Sequence, residues 1–291
     1  MKLRSLLFVP GDSEKKFARA RAGNADVLIL DLEDAVAPSM KAAARATVAG
    51  WIDHADAVAA RLFVRVNPLS SGLVDDDLAA VVRPGLAGLL LPKVDSAADV
   101  LSIGERLDRL EAAAGMAPGS VMIMVVSTET PAAMFALGSY TPAPTRLMGL
   151  TWGAEDLAAA IGATVNKEAD GSWTEPYRLA RSLCLFAAAA AGVVPIETLY
   201  ADFRDAEGLE ADCRRSRRDG FMGRIAIHPD QVDVINRSFT PSDSEVAVAR
   251  RIFAAFAENP DLGTIGIDGK MYDIPHLKAA LKTLAAAGVT P

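Results

Sequence analysis

Two short stretches, Ser127-Thr128-Glu129-Thr130 and Gly153-Ala154-Glu155-Asp156, each set carboxylates just past an apolar run, residues 121–126 in one case and 147–151 in the other. Apolar runs of this length, bounded by polar residues, read as buried strands. If both strands belong to one parallel barrel, Glu129 and Asp156 emerge on the same face. Two carboxylates close together in a low-dielectric pocket repel, and a Mg²⁺ ion that keeps several of its waters lets both remain ionised. The structural alternative makes Glu129 a helix-start residue and Asp156 a helix N-cap.

Other chemistry-bearing residues fall at the ends of other apolar runs. Asp31, Glu33 and Asp34 close the run over residues 26–32. They read either as groups behind a metal's waters or as an acidic helix start. Arg65 interrupts the run over residues 62–68, where a buried guanidinium needs a carboxylate or a ligand anion. Lys93 ends the run over residues 88–93. His228, before Pro229, is a candidate base or ligand, or a hydrogen-bonded structural residue.

The elements that must position these groups follow from the pattern. Apolar runs at residues 5–9, 26–32, 62–68, 88–93, 121–126, 147–151, 194–200 and 223–229 alternate with helical segments. This is the pattern of a (β/α)₈ barrel, whose active site lies where its strands end. The barrel is expected over residues 1–258. Beyond a linker at 259–263 and a Gly-containing stretch at 266–273, a final helix is expected over 275–287. The tail, residues 259–291, reads as a helical lid or arm packing on a neighbouring subunit.

With 291 residues, 51% of them apolar, the chain can bury a large core. A net charge of −7 argues against nucleic acid or an anionic membrane as the main partner, while leaving room for an anionic ligand held by local Arg and Lys. Cys184 and Cys213 have neither disulfide-framework nor metal-ligand spacing, so a reducing cytosol is the expected setting. The first apolar run stops at Pro10-Gly11, so no signal peptide is expected, and the Ala-rich run at 187–191 is too short for a bilayer.

Together the motifs resemble the citrate lyase β-subunit and malyl-CoA lyase group of the HpcH/HpaI aldolase superfamily. The matching stretches are Arg4-Ser5-Leu6-Leu7-Phe8-Val9-Pro10-Gly11, Leu30-Asp31-Leu32-Glu33-Asp34-Ala35-Val36, Arg65-Val66-Asn67-Pro68, Leu91-Pro92-Lys93, Glu129-Thr130, Gly153-Ala154-Glu155-Asp156-Leu157, Ala226-Ile227-His228-Pro229 and Gly269-Lys270-Met271-Tyr272-Asp273. They span nearly the whole chain in the expected order.

The resemblance implies a Mg²⁺-dependent carbon–carbon lyase acting on a β-hydroxyacyl-CoA thioester such as malyl-, citramalyl- or citryl-CoA. Glu129 and Asp156 match the metal ligands, with Glu33 and Asp34 behind the metal's waters. Arg65 matches the substrate-binding arginine. Backbone N–H groups around Glu155 and Asp156 would hold the oxo acid's carboxylate. Asp273 matches a lid aspartate donated by a neighbouring subunit as general acid or base. Lys15, Lys16 and Arg19 are candidates for the coenzyme A phosphates, or an exposed basic helix face. The resemblance also implies a homotrimer or homohexamer. Alternatives are a thioesterase on the same substrate, a citrate lyase β subunit working on a carrier-protein thioester, a free-pyruvate aldolase, and a barrel kept only for binding or assembly.

Overall fold

In the computed structural model, which describes residues 2–290, the eight apolar runs form strands β1 (Ser5–Pro10), β2 (Val27–Asp31), β3 (Arg61–Arg65), β4 (Leu86–Leu91), β5 (Met122–Val126), β6 (Leu147–Thr151), β7 (Val194–Glu197) and β8 (Gly223–Ala226). Each pairs in parallel with the next, and β8 pairs with β1 to close the barrel. Between them lie α1 (Glu14–Arg21), α2 (Lys41–Ile52), α3 (Val74–Val81), α4 (Ala97–Ala113), α5 (Pro131–Ala136), α6 (Glu155–Ile161), α7 (Glu175–Ala191) and α8 (Ala206–Asp219). The expected (β/α)₈ architecture is therefore present.

The strands are apolar on both faces because both are covered, by the helices outside and by the barrel's own filling inside. Leu6, Ile29, Phe63, Leu90, Met124, Ile196 and Ile225 pack into that interior. Phe63 reaches across it only because β4 carries Gly88. A Cβ there would sit 2.3 Å from the Phe63 ring, far inside contact distance.

No helix is expected from the pattern between residues 68 and 88, yet α3 lies there. Its first turn holds Asp75, Asp76 and Asp77, negative charge placed where a helix N-terminus favours it. Asp77 is fully buried; it accepts from the Asn67 main-chain and side-chain N–H groups, each at 2.7 Å, and pairs with Arg45 at 2.6 Å.

The chain divides into two compact units, the barrel over Leu3–Asn236 and a smaller one from Arg237 onward. The helix α9 (Val232–Phe239) spans the division, and α10 (Asp243–Glu258), β9 (Thr264–Ile267), β10 (Lys270–Asp273) and α11 (Ile274–Ala287) follow. This revises the expected boundary at residue 258. Helix α10, which the expected boundary leaves with the barrel, packs on α11 and the β9–β10 hairpin around Ile252, Phe256, Ile265 and Leu284. The Gly-containing stretch is ordered as that hairpin. Its two-residue turn, Asp268-Gly269, has φ of 50° and 75°, the left-handed pair that a type I′ turn requires and that Asp-Gly supplies at little steric cost. Among the described residues, no helix is long and apolar enough to cross a membrane.

Candidate active site

Glu129 lies three residues beyond the end of β5 and immediately before Thr130, the N-cap of α5. Thr130 fixes the transition: its hydroxyl accepts the Ala133 N–H at 3.1 Å and donates to Asp95 at 2.5 Å. The Glu129 side chain is 5% exposed, and its Oε2 accepts the main-chain N–H of Lys93 at 2.6 Å. It lies against the chain leaving β6 because residue 153 is glycine. A Cβ there would stand 2.8 Å from Glu129 Cγ and 3.0 Å from Oε1. Asp156 occupies the first turn of α6.

Lys93, after β4, connects the two. Its backbone is left-handed, with φ of 51°, a conformation unusual for a long side chain. Its ammonium contacts Glu33 and stands 3.3 Å from both Asp34 Oδ2 and Asp156 Oδ1.

Arg65 completes the cluster. The sheet register places it beside Asp31, which it grips with two hydrogen bonds of 2.8 and 2.6 Å. Its Nη1 lies 2.9 Å from Glu33 Oε2, and the guanidinium lies 4.6 Å from the centre of the Phe8 ring. The ion pair that the sequence left open is thus formed, and Arg65 also lines the pocket described below. Asp31 additionally accepts the Glu33 and Ala35 N–H groups, which shapes the loop that presents Glu33.

The electrostatics of this cluster are unbalanced. Five carboxylates, Asp31, Glu33, Asp34, Glu129 and Asp156, face two cations, Arg65 and Lys93. Burial pushes the Glu129 carboxyl up to about 8; the Lys93 N–H opposes the rise, and the charges of Asp156 and Glu33 add to it. Burial likewise raises Glu33 against the pull of Arg65 and Lys93. For Lys93, burial lowers the pKa, but the Glu33 hydrogen bond and the surrounding carboxylates outweigh it and raise it. Ionised Glu129 and Asp156 therefore call for more positive charge. Among the described residues, no group of three or more His, Cys, Asp and Glu side chains forms a ready-made metal cage. The donors fit a hard cation held by two carboxylates, with water or a ligand filling its remaining positions.

Glu129, Glu155 and Asp156 border a pocket of about 90 Å³, walled by Phe8, Arg65, Leu90, Val126, Trp152 and Trp173. At about 30 Å³ for each water, it suits a fragment of a few heavy atoms. Glu155 Oε1 accepts from Asn166 at 3.0 Å. Phe8 and Arg65 also border a second cavity of about 450 Å³, lined further by Lys16, Arg19, Asp31 and His228. Of the three basic candidates on α1, Lys16 and Arg19 thus face a cavity, while Lys15 is exposed and outside its lining. Arg19 is paired with Asp230 at 2.8 Å.

His228 takes the structural role. Its Nδ1 accepts the Asp230 N–H at 3.3 Å, Gln231 receives the His228 N–H at 3.2 Å, and the ring stacks on Phe203. In the smaller unit, Asp273 caps α11. It accepts the His276 N–H at 3.4 Å and meets His276 Nδ1 at 2.5 Å, which holds its carboxyl below the usual range.

Sequence reasoning named Lys93 without giving it a role and missed a second buried network. Glu197, at the end of β7, accepts from the Trp152 indole at 2.5 Å and from Arg181 at 2.7 Å. A carboxylate inside an apolar strand is the same signal that singled out Arg65. The polar loop before α7 carries Trp173 to the edge of Trp152, 5.1 Å between ring centres, with Lys167 over the Trp173 face.

The HpcH/HpaI aldolase/citrate lyase family model matches residues 4–229. The chain is 36% identical over 290 residues to a (3S)-malyl-CoA thioesterase of Cereibacter sphaeroides, covering 98% of this chain and 94% of that protein. It is 32% identical to the mitochondrial citramalyl-CoA lyase of Homo sapiens, covering 98% and 85%. The fold matches that of CitE from Mycobacterium tuberculosis in complex with magnesium, acetoacetate and coenzyme A, with a TM-score of 0.78, 33% identity and 98% of each chain covered. By sequence and by fold, the chain belongs to the HpcH/HpaI aldolase/citrate lyase family of enzymes.

Proposed function

We propose that the protein is a Mg²⁺-dependent carbon–carbon lyase that cleaves, or forms, a β-hydroxyacyl-CoA thioester of the malyl-, citramalyl- or citryl-CoA type. The observation that carries this is the meeting of Glu129, Asp156 and Arg65, from three different strand ends, on one small pocket. Support comes also from the CitE relative, whose structure holds magnesium, acetoacetate and coenzyme A.

Glu129 and Asp156 would hold the cation. When bound, Mg²⁺ acts as a Lewis acid toward the carbonyl of the oxo-acid half. Cleavage breaks the bond between the α and β carbons. The electron pair passes to the thioester oxygen as an enolate, the hydroxyl oxygen loses its proton to become the oxo acid's carbonyl, and the α carbon takes up a proton. Arg65, fixed by Asp31 and Glu33, supplies positive charge where the enolate oxygen develops, and such preorganised charge is commonly the largest catalytic contribution. Main-chain N–H groups at Glu155 and Asp156 would receive the oxo acid's carboxylate. Lys16 and Arg19 line a cavity suited to the coenzyme A phosphates. Asp273 of a neighbouring copy in a trimer or hexamer would exchange the α-carbon proton. Held ionised by His276, it suits proton removal in the condensation direction. A reducing, cytosolic setting agrees with two free, buried cysteines.

The C. sphaeroides relatives favour a second reading, hydrolysis of the same thioester with water as acyl acceptor. A panel of the three thioesters, assayed with Mg²⁺ and with chelator, separates the two. Lyase action releases equal amounts of acyl-CoA and oxo acid only with Mg²⁺, whereas hydrolysis releases free thiol. No product from any of the three thioesters would overturn both.

A further inference from the structure

Lys93 is joined to four of the five carboxylates of the site, all but Asp31. Its main-chain N–H holds Glu129, and its ammonium, with three donors, faces three carboxylates, Glu33, Asp34 and Asp156. Without that ammonium, four carboxylates would surround one cation position, and such a cage suits the larger, more highly coordinated Ca²⁺ better than Mg²⁺. We propose that Lys93 is a positioning residue that withholds Glu33 and Asp34 from the cation, leaving two carboxylate ligands and open positions for the oxo acid.

This rests on the reading of Glu129 and Asp156 as ligands. The left-handed backbone at Lys93 lets one residue do both tasks. The main-chain hydrogen bond to Glu129 does not depend on the side chain, so Lys93→Met removes the ammonium while leaving that contact. A compact ammonium matches the role; the longer, planar fork of arginine does not superpose on it.

The test is calorimetric titration of Mg²⁺ and Ca²⁺ into metal-stripped protein, with water-proton relaxation of bound Mn²⁺ counting its exchangeable waters. Lys93→Met is expected to bind Ca²⁺ about tenfold more tightly, to gain much less for Mg²⁺, and to lose Mn²⁺-bound water. Adding Glu33→Gln and Asp34→Asn to Lys93→Met should return Ca²⁺ affinity to the native level. Equal gains for both ions with unchanged Mn²⁺ hydration would mean that Lys93 acts only as a charge, and would overturn the proposal, as would unchanged Ca²⁺ affinity. If Lys93→Met does not fold, Glu33→Gln with Asp34→Asn in the native background decides. The expected result is an unchanged number of Mn²⁺-bound waters, because groups that do not ligate the ion leave its waters in place; extra bound water would make those groups ligands and refute the idea. Native Mg²⁺ affinity in Glu129→Gln would instead refute the ligand assignment beneath it, a distinct outcome.

Discussion

Gly153 sets how near the Glu129 carboxylate comes to the chain leaving β6. Gly153→Ala would push a methyl group into Glu129 Cγ and Oε1 and, less tightly, against Val126 Cγ1 at 3.2 Å, displacing the carboxylate more than the barrel's packing. The expected result is a fall in kcat/KM of about 10²-fold or more with little change in unfolding midpoint, since misplaced transition-state charge costs of that order. Full activity in this variant would show that the Glu129 position is not critical. Glu129→Gln and Asp156→Asn should each abolish Mg²⁺-dependent turnover while circular dichroism stays native. At this scale much was legible in the sequence: Glu129, Asp156, Arg65 and the Glu33–Asp34 pair were each visible as charges at the ends of apolar runs. The role of Lys93 was not, because it depends on a backbone conformation and on contacts with residues 59, 60 and 63 positions away in the chain.

Away from the mouth of the barrel, α4 is tied to the strands that follow it through Glu111 and Arg146. Glu111 accepts from the Gly119 and Val121 N–H groups, each at 2.8 Å, and from Arg146 at 2.7 and 2.6 Å. Arg146→Met would leave a buried carboxylate unpaired, at a cost of about 3–5 kcal/mol, read as a lower denaturant midpoint; an unchanged midpoint would contradict the assignment. Burial alone would raise the Glu111 pKa, but Arg146 and the two N–H groups outweigh it and hold the carboxyl down at about 2, against an ordinary 4.5. Because the folded-state value is the lower one, the stabilisation is complete above the ordinary value and is lost as pH falls through about 2. In Glu111→Gln, the unfolding midpoint should fall less steeply across that acid range. The alternation of apolar runs with helical segments made the barrel readable. Helix α3 and the β9–β10 hairpin were not, since α3 is a short acidic segment stabilised by the distant Arg45 and the hairpin's Gly-containing stretch shows little periodicity.

In the whole molecule, the proposed chemistry needs complementary parts from different copies of the chain: the carboxylates that would hold the cation in the barrel and Asp273 in the smaller unit. Mixing Asp273→Asn with Glu129→Gln chains, each inactive alone, should restore about a quarter of native activity if subunits exchange at random and the aspartate acts across them. No recovery in mixed oligomers would place both groups in the same chain. The division at Asn236 was hidden in the sequence because α10 has the same amphipathic pattern as a barrel helix, and only its packing on α11 assigns it. The most direct test of the central claim is a Mg²⁺ titration of initial rates on citramalyl-CoA and malyl-CoA, with acetyl-CoA and oxo acid both quantified, for native protein and Asp156→Asn. Equimolar products are expected to appear saturably with Mg²⁺ in the native enzyme and to vanish in the variant. Turnover that persists in chelator, or survives in Asp156→Asn, would contradict that claim.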